Sequence, residues 1–172
     1  MLVSLNWLKD YTDIKVPVDE FCDRMIMSGS DMETCEELGT GISGVAVGRI
    51  DKIEKHPNAD KLVVCRVNIG EAEPLQIVTG ATNIYEGGYV PVAKDGSHIP
   101  GPLHGQPKVE GGVTITAGEL RGVLSNGMLC GPQELGYDDK IAPYISKDGI
   151  WMLPGNWDDH LGEDFAEALG LH

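Results

Sequence analysis

The strongest constraint on this 172-residue chain is a string of short apolar runs between Ile42 and Ala117, cut apart by glycine and proline turns. Ile42, Val45, Val47, Ile50 and Ile53 form one long run interrupted by glycines. From Leu62 to Ile69 two sets of residues alternate: Leu62, Val64, Arg66 and Asn68 against Val63, Cys65, Val67 and Ile69. That two-residue period places the sets on opposite faces of a strand. Leu75–Val78, Tyr89–Ala93 and Val113–Ala117 are further short runs, with Gly-Gly at 87–88 and 111–112 and Pro-Gly at 100–101 as turns between them. Five such runs so close together predict a small five-stranded closed barrel of Greek-key type.

The flanks read differently. Val3, Leu5 and Trp7 alternate with polar residues and predict a short strand or a strand leading into a helix. Val18, Phe21, Cys22, Met25 and Ile26 then recur at three- and four-residue spacing, one face of an amphipathic helix. Pro17 precedes it, Asp19 and Glu20 suit the positive end of its dipole, and Ser28-Gly29 stops it. The acidic stretch from Asp31 to Gly41 reads as a linker. Pro132–Leu135 predicts a single helical turn closed by Gly136. After Ile150–Leu153 and a Pro154-Gly155 turn, Leu161, Phe165, Ala166 and Leu169 predict a second helix that continues in a longer protein. The expected class is therefore mainly β with flanking α. The expected division is residues 1–40, a barrel at 41–150, and a return segment at 151–172 that rejoins the first part in a split α+β domain.

Charge and cysteine usage bound the function. The net charge is −14, with the acidity concentrated at the ends: residues 41–150 carry ten basic and thirteen acidic residues, whereas 151–172 carry five acids and no Lys or Arg. A nearly balanced centre can still present a basic face, although the total charge gives nucleic-acid binding no help. No apolar stretch is long enough for a membrane span, and no basic leader precedes the first apolar residues. Cys22, Cys35, Cys65 and Cys130 make no C-x-x-C pair and read as reduced thiols of a cytoplasmic protein. The dispersed histidines offer no metal-ligand spacing. His56 and Asp60 are four apart but span a proline turn, so they do not form a paired site on one helix face.

Four stretches carry the chemistry: HPNADKL at 56–62, QIVTGATN at 76–83, LRGVLSNGMLC at 120–130 and ELG at 134–136. In the first, Pro57 forbids helix and Asn58 or Asp60 can bond its own backbone, so the segment turns between two strands. The same turn offers His56, Asn58 and Lys61 as donors to phosphate or ribose. In the second, Gly80 suits a close backbone approach and Asn83 caps the exit. In the third, Arg121 is a permanent cation with a planar donor fork, and Ser125 and Asn126 are small donors beside Gly127. The tyrosines of the centre (Tyr85, Tyr89, Tyr137 and Tyr144) form no cluster, which argues against general single-strand stacking and for recognition of a folded RNA by shape and backbone.

In this order and spacing the four stretches resemble the OB-fold tRNA-binding module shared by several synthetases and tRNA-binding chaperones. The opening VSLNWLKDYTDI, with its helix ending in Met-Ser-Gly, resembles the start of the phenylalanyl-tRNA synthetase β-subunit family of bacterial type. The resemblance covers essentially the whole chain. It implies a non-catalytic region that helps dock phenylalanine-specific tRNA and packs against the α subunit and further β domains of an α2β2 heterotetramer. It also implies a parent ligase using ATP and magnesium through sites outside these residues. The tRNA contacts it implies are His56, Asn58, Lys61, Asn83, Arg121, Ser125 and Asn126.

Three features depart from the family pattern. The lysine-rich stretch expected before LRG is replaced by Thr114–Glu119, the insertion PLHGQPKVEGG at 102–112 brings only Lys108, and Gly131 stands where a serine is usual. Fewer cations mean weaker, less salt-dependent binding. Two other functions fit the residues: a packing module with little RNA affinity, and a freestanding chaperone-like tRNA-binding protein.

Overall fold

The computed structural model describes residues 3–35, 39–137 and 149–171; Tyr144 and positions 36–38 of the expected linker lie outside them. The chain divides into two units, Met1–Glu37 and Leu38–His172. The first holds two helices, α1 (Leu5–Lys9) and α2 (Val18–Met27). The alternating opening residues are thus helical, because Ser4 caps α1 by accepting the Trp7 N–H and overrides the strand-like pattern. The sequence-based reading of α2 is close. Pro17 is its N-cap residue, and Gly29 follows at φ 89° while the Ser30 N–H reaches back to Met25 O at 3.1 Å.

The second unit is built on one long strand. β1 (Ser43–Lys55) pairs antiparallel with β2 (Val63–Asn68) along its C-terminal half and with β4 (Tyr89–Ile99) along its N-terminal half. β3 (Leu75–Thr79) lies beyond β2, while β5 (Val113–Thr114) and β8 (Gly127–Leu129) both pair with β4. β6 (Gly118–Leu120) and β7 (Val123–Ser125) form a separate hairpin. A register shift between Ile50 and Lys52 bends β1, as one extra residue in a strand does, and lets it serve two directions of the sheet. The sheet curls until the β7–β8 segment meets the free edge of β3. There the Asn126 N–H donates to Gln76 O (2.8 Å), Gln76 Nε2 donates to Leu124 O (2.7 Å) and the Val78 N–H donates to Ser125 Oγ (3.0 Å). The result is a mainly β, nearly closed barrel of OB type.

Both faces are covered where β1 and β4 pair, which explains the unbroken burial of Val45–Gly48 and Tyr89–Ala93. Ile50, Cys65, Val67, Ile77, Val90, Val92 and Leu129 form the interior cluster. On the other face, Val45, Val47, Tyr89 and Ala93 pack with Trp151, Leu153 and Phe165 of the C-terminal segment. Tyr137, Trp151 and Phe165 make a chain of edge-on rings with centroids 5.3 and 5.2 Å apart. Main-chain bonds seal this layer: Trp151 N–H to Cys130 O, Leu153 N–H to Tyr89 O, and Val47 N–H to Glu163 O, at 2.9 to 3.1 Å. The second expected helix is short, α3 (Phe165–Ala168), capped by the Asp164 carboxylate and preceded by a single 3-10 turn at Asp158–His160. The single turn at 132–135 is present, with the Leu135 N–H on Pro132 O and Gly136 at φ 83°.

Candidate nucleic-acid interface

The turn 56–62 and the tip of the β6–β7 hairpin are bonded to each other at one end of the barrel. His56 follows the last residue of β1 and is only 6% exposed. Its Nε2 lies 2.8 Å from Leu120 O, and its Nδ1 lies 3.0 Å from the Asn58 N–H. A carbonyl can only accept and an amide N–H can only donate, so the ring is the neutral tautomer with its proton on Nε2. The Asn58 side chain continues the clasp, with Nδ2 donating to Arg121 O at 3.0 Å. The hairpin itself turns through two residues, Arg121 at φ 53° and Gly122 at φ 84°, with Leu120 and Val123 paired on either side. Two left-handed residues in a row make the tight turn whose twist suits a hairpin.

Lys61 belongs to the same turn, and both Lys61 and Arg121 are exposed. Among the described residues neither makes an ion pair, in contrast to Arg24 with Glu20 and to Arg49 with Asp51 (2.7 Å) and Asp158 (2.6 Å). Lys55, the last residue of β1, is likewise exposed and unpaired among them. The end of the barrel therefore presents cations that make no ion pair among the described residues. Such groups suit phosphate oxygens.

The seven residues expected to touch RNA separate into two sets. His56, Asn58, Lys61 and Arg121 come together in the clasp. Asn83, Ser125 and Asn126 lie elsewhere. Asn83 pairs with the main chain of Ile150 like a strand neighbour, donating to its O at 2.8 Å and accepting from its N–H at 3.0 Å. Ser125 is 5% exposed, accepts from Val78 N–H and donates to Gly127 O at 2.9 Å, so its hydroxyl serves barrel closure. Asn126 sits four residues beyond Gly122, roughly 13 Å along an extended strand. Gly131 is tightly boxed: its N–H donates to Glu134 Oε2 at 2.8 Å, and a Cβ there would overlap Gly149 O.

The hairpin itself was not legible as a structural element, and neither was Gln76 as a closure residue. The signal for the hairpin was present: a two-residue turn ending in glycine between GEL and VLS. Leu120 and Leu124, both exposed, weaken the usual inside–outside contrast that would reveal such strands.

A six-stranded, OB-type barrel that clasps a basic hairpin tip defines a class, and comparison with known families agrees with it. The tRNA_bind family model, describing a tRNA-binding domain, matches residues 45–149, and the chain belongs to this family. Over its whole length it is homologous to the N-terminal part of bacterial phenylalanine–tRNA ligase β subunits. It is 45% identical over 171 residues to that of Clostridium tetani, covering 99% of this chain and 20% of the relative. It is 44% identical over 173 residues to that of Bacillus cereus strain ZK / E33L and 42% identical over 173 residues to that of Geobacillus kaustophilus, covering all of this chain and 20% of each. The chain thus spans about one fifth of the length of these relatives.

Proposed function

We propose that this chain is the tRNA-docking region of a phenylalanine–tRNA ligase β subunit, meeting the RNA through the clasped end of its barrel. The observation that carries the reading is the clasp: a turn and a hairpin tip bonded together, with Lys61, Arg121 and Lys55 exposed and free of ion pairs among the described residues. Backbone contacts of this kind set position rather than sequence preference, so phenylalanine specificity belongs to other parts of the ligase. His56 and Asn58 hold the clasp, while Ser125 and Asn83 contribute structure. Asn126 is a contact only for an RNA that extends along the hairpin.

In this reading the chain carries no catalytic group. ATP and magnesium are handled by the rest of an α2β2 enzyme in the cytoplasm. The α subunit and further β domains are the packing partners. Exposed Trp7, Tyr11, Ile26 and Met27 in the helical unit support such packing.

A titration of the chain with tRNA at low and moderate salt tests the docking role. Binding that weakens as salt rises supports it. A second reading, a packing module with little RNA affinity, is favoured by the net charge of −14. It predicts no binding at low salt even at about 100 µM, a concentration at which non-specific sites usually fill.

A further inference from the structure

Arg121 stands where a hairpin of this kind least tolerates it. Its φ of 53° is the only positive value among the described residues other than glycine. Two-residue turns with both φ values positive favour Asn-Gly, because a Cβ in the left-handed region crowds the carbonyl oxygen and a short amide side chain offsets this by bonding locally, which a guanidinium chain does not. The turn is nevertheless held in place from outside. Leu120 O, before the turn, accepts from His56 Nε2–H at 2.8 Å, and Arg121 O, inside it, accepts from Asn58 Nδ2 at 3.0 Å. The His56 ring is in turn fixed by the Asn58 N–H at 3.0 Å. Three hydrogen bonds thus hold a strained residue whose own guanidinium has no partner among the described residues. Strain kept by surrounding contacts, at a residue whose side chain serves nothing within the fold, points to an external ligand.

We propose that Arg121 is a preformed receptor for a single backbone phosphate of RNA, and that His56 and Asn58 are positioning residues that hold its turn without touching the RNA. The inference rests on the docking role proposed above and refines it. The guanidinium fork matches two phosphate oxygens at once, which a lysine at the same place does not. His56 is buried with both ring nitrogens engaged, so it has no donor left for RNA.

The test joins stability to affinity in the 172-residue chain. Arg121→Asn supplies the residue the turn prefers, so Tm should hold or rise. Affinity for tRNA should fall about tenfold, with the salt slope smaller by about one. Arg121→Lys should lose part of that affinity despite keeping the charge. His56→Phe should weaken tRNA binding while speeding amide exchange at Asn58, and His56→Gln, which keeps a donor and an acceptor, should restore both in part. Nitrogen NMR of the RNA-free chain should show the His56 proton on Nε2. The proposal is overturned if Arg121→Asn lowers Tm and leaves affinity unchanged, or if the ring proton sits on Nδ1. It is equally overturned if His56→Phe weakens binding with Asn58 exchange unaltered, which would make His56 a direct contact. Failure of the unsubstituted chain to bind tRNA sinks the docking role itself, a separate result from equal binding by the unsubstituted chain and Arg121→Asn.

Discussion

Ser125 shows how one hydroxyl can decide whether a sheet closes. It gives the Val78 N–H an acceptor at the edge of β3 and donates its own O–H to Gly127 O. Ser125→Ala leaves a buried N–H unsatisfied and should cost about 1–3 kcal/mol, read as a lower urea midpoint with an unchanged slope. A neutral effect would mean that the barrel edge does not depend on this bond. Buried acids make a second residue-scale statement. Burial pushes the Cys65 thiol from 9.0 to about 11, and the Tyr137 phenol from 10.0 to about 12. The folded chain therefore keeps protons that the unfolded chain releases, so the stability they confer is whole below pH 9 and is lost as pH climbs towards 12. Thermal unfolding at pH 8, 9.5 and 11 should show a falling Tm; a flat profile would contradict the burial of these groups.

Among the elements, β1 and the β6–β7 hairpin carry opposite lessons. β1 was legible because its glycines interrupt an apolar run without ending it. Gly48 marks the reason for one of them: a Cβ there would lie 2.6 Å from Val92 and 2.9 Å from Val67, inside the barrel. Gly48→Ala should therefore destabilise by about 1–3 kcal/mol through overpacking, measured by chemical denaturation. The hairpin was read only as a set of RNA donors, because three-residue strands with exposed Leu120 and Leu124 hardly differ from a loop in pattern. Ser125 and Asn83 were legible as polar groups beside turns, yet they bond backbone atoms 47 and 67 positions away in sequence. No local pattern encodes such contacts. Lys61, by contrast, is placed on the surface by its sequence and is exposed in the structure. Lys61→Ala should weaken tRNA binding while changing stability by less than about 0.5 kcal/mol, as surface changes usually do; unfolding of this variant would place the side chain in the fold instead.

At the largest scale, the barrel unit Leu38–His172 is covered on one face of its sheet. The C-terminal segment seals the outer face of β1 and β4 with Trp151, Leu153 and Phe165. The turn 56–62 and the hairpin tip take no part in that seal, and Lys61 and Arg121 there are exposed. Acidic residues dominate the chain, yet Lys55, Lys61 and Arg121 make no ion pair among the described residues. The most direct measurement is a fluorescence titration of the chain with tRNA across a salt series, beside Lys61→Ala and Arg121→Asn. Affinity that falls with salt, and a shallower salt dependence in both variants with the fold intact, is the expected result. Equal affinity and equal salt dependence in all three proteins would contradict a basic docking end on this barrel.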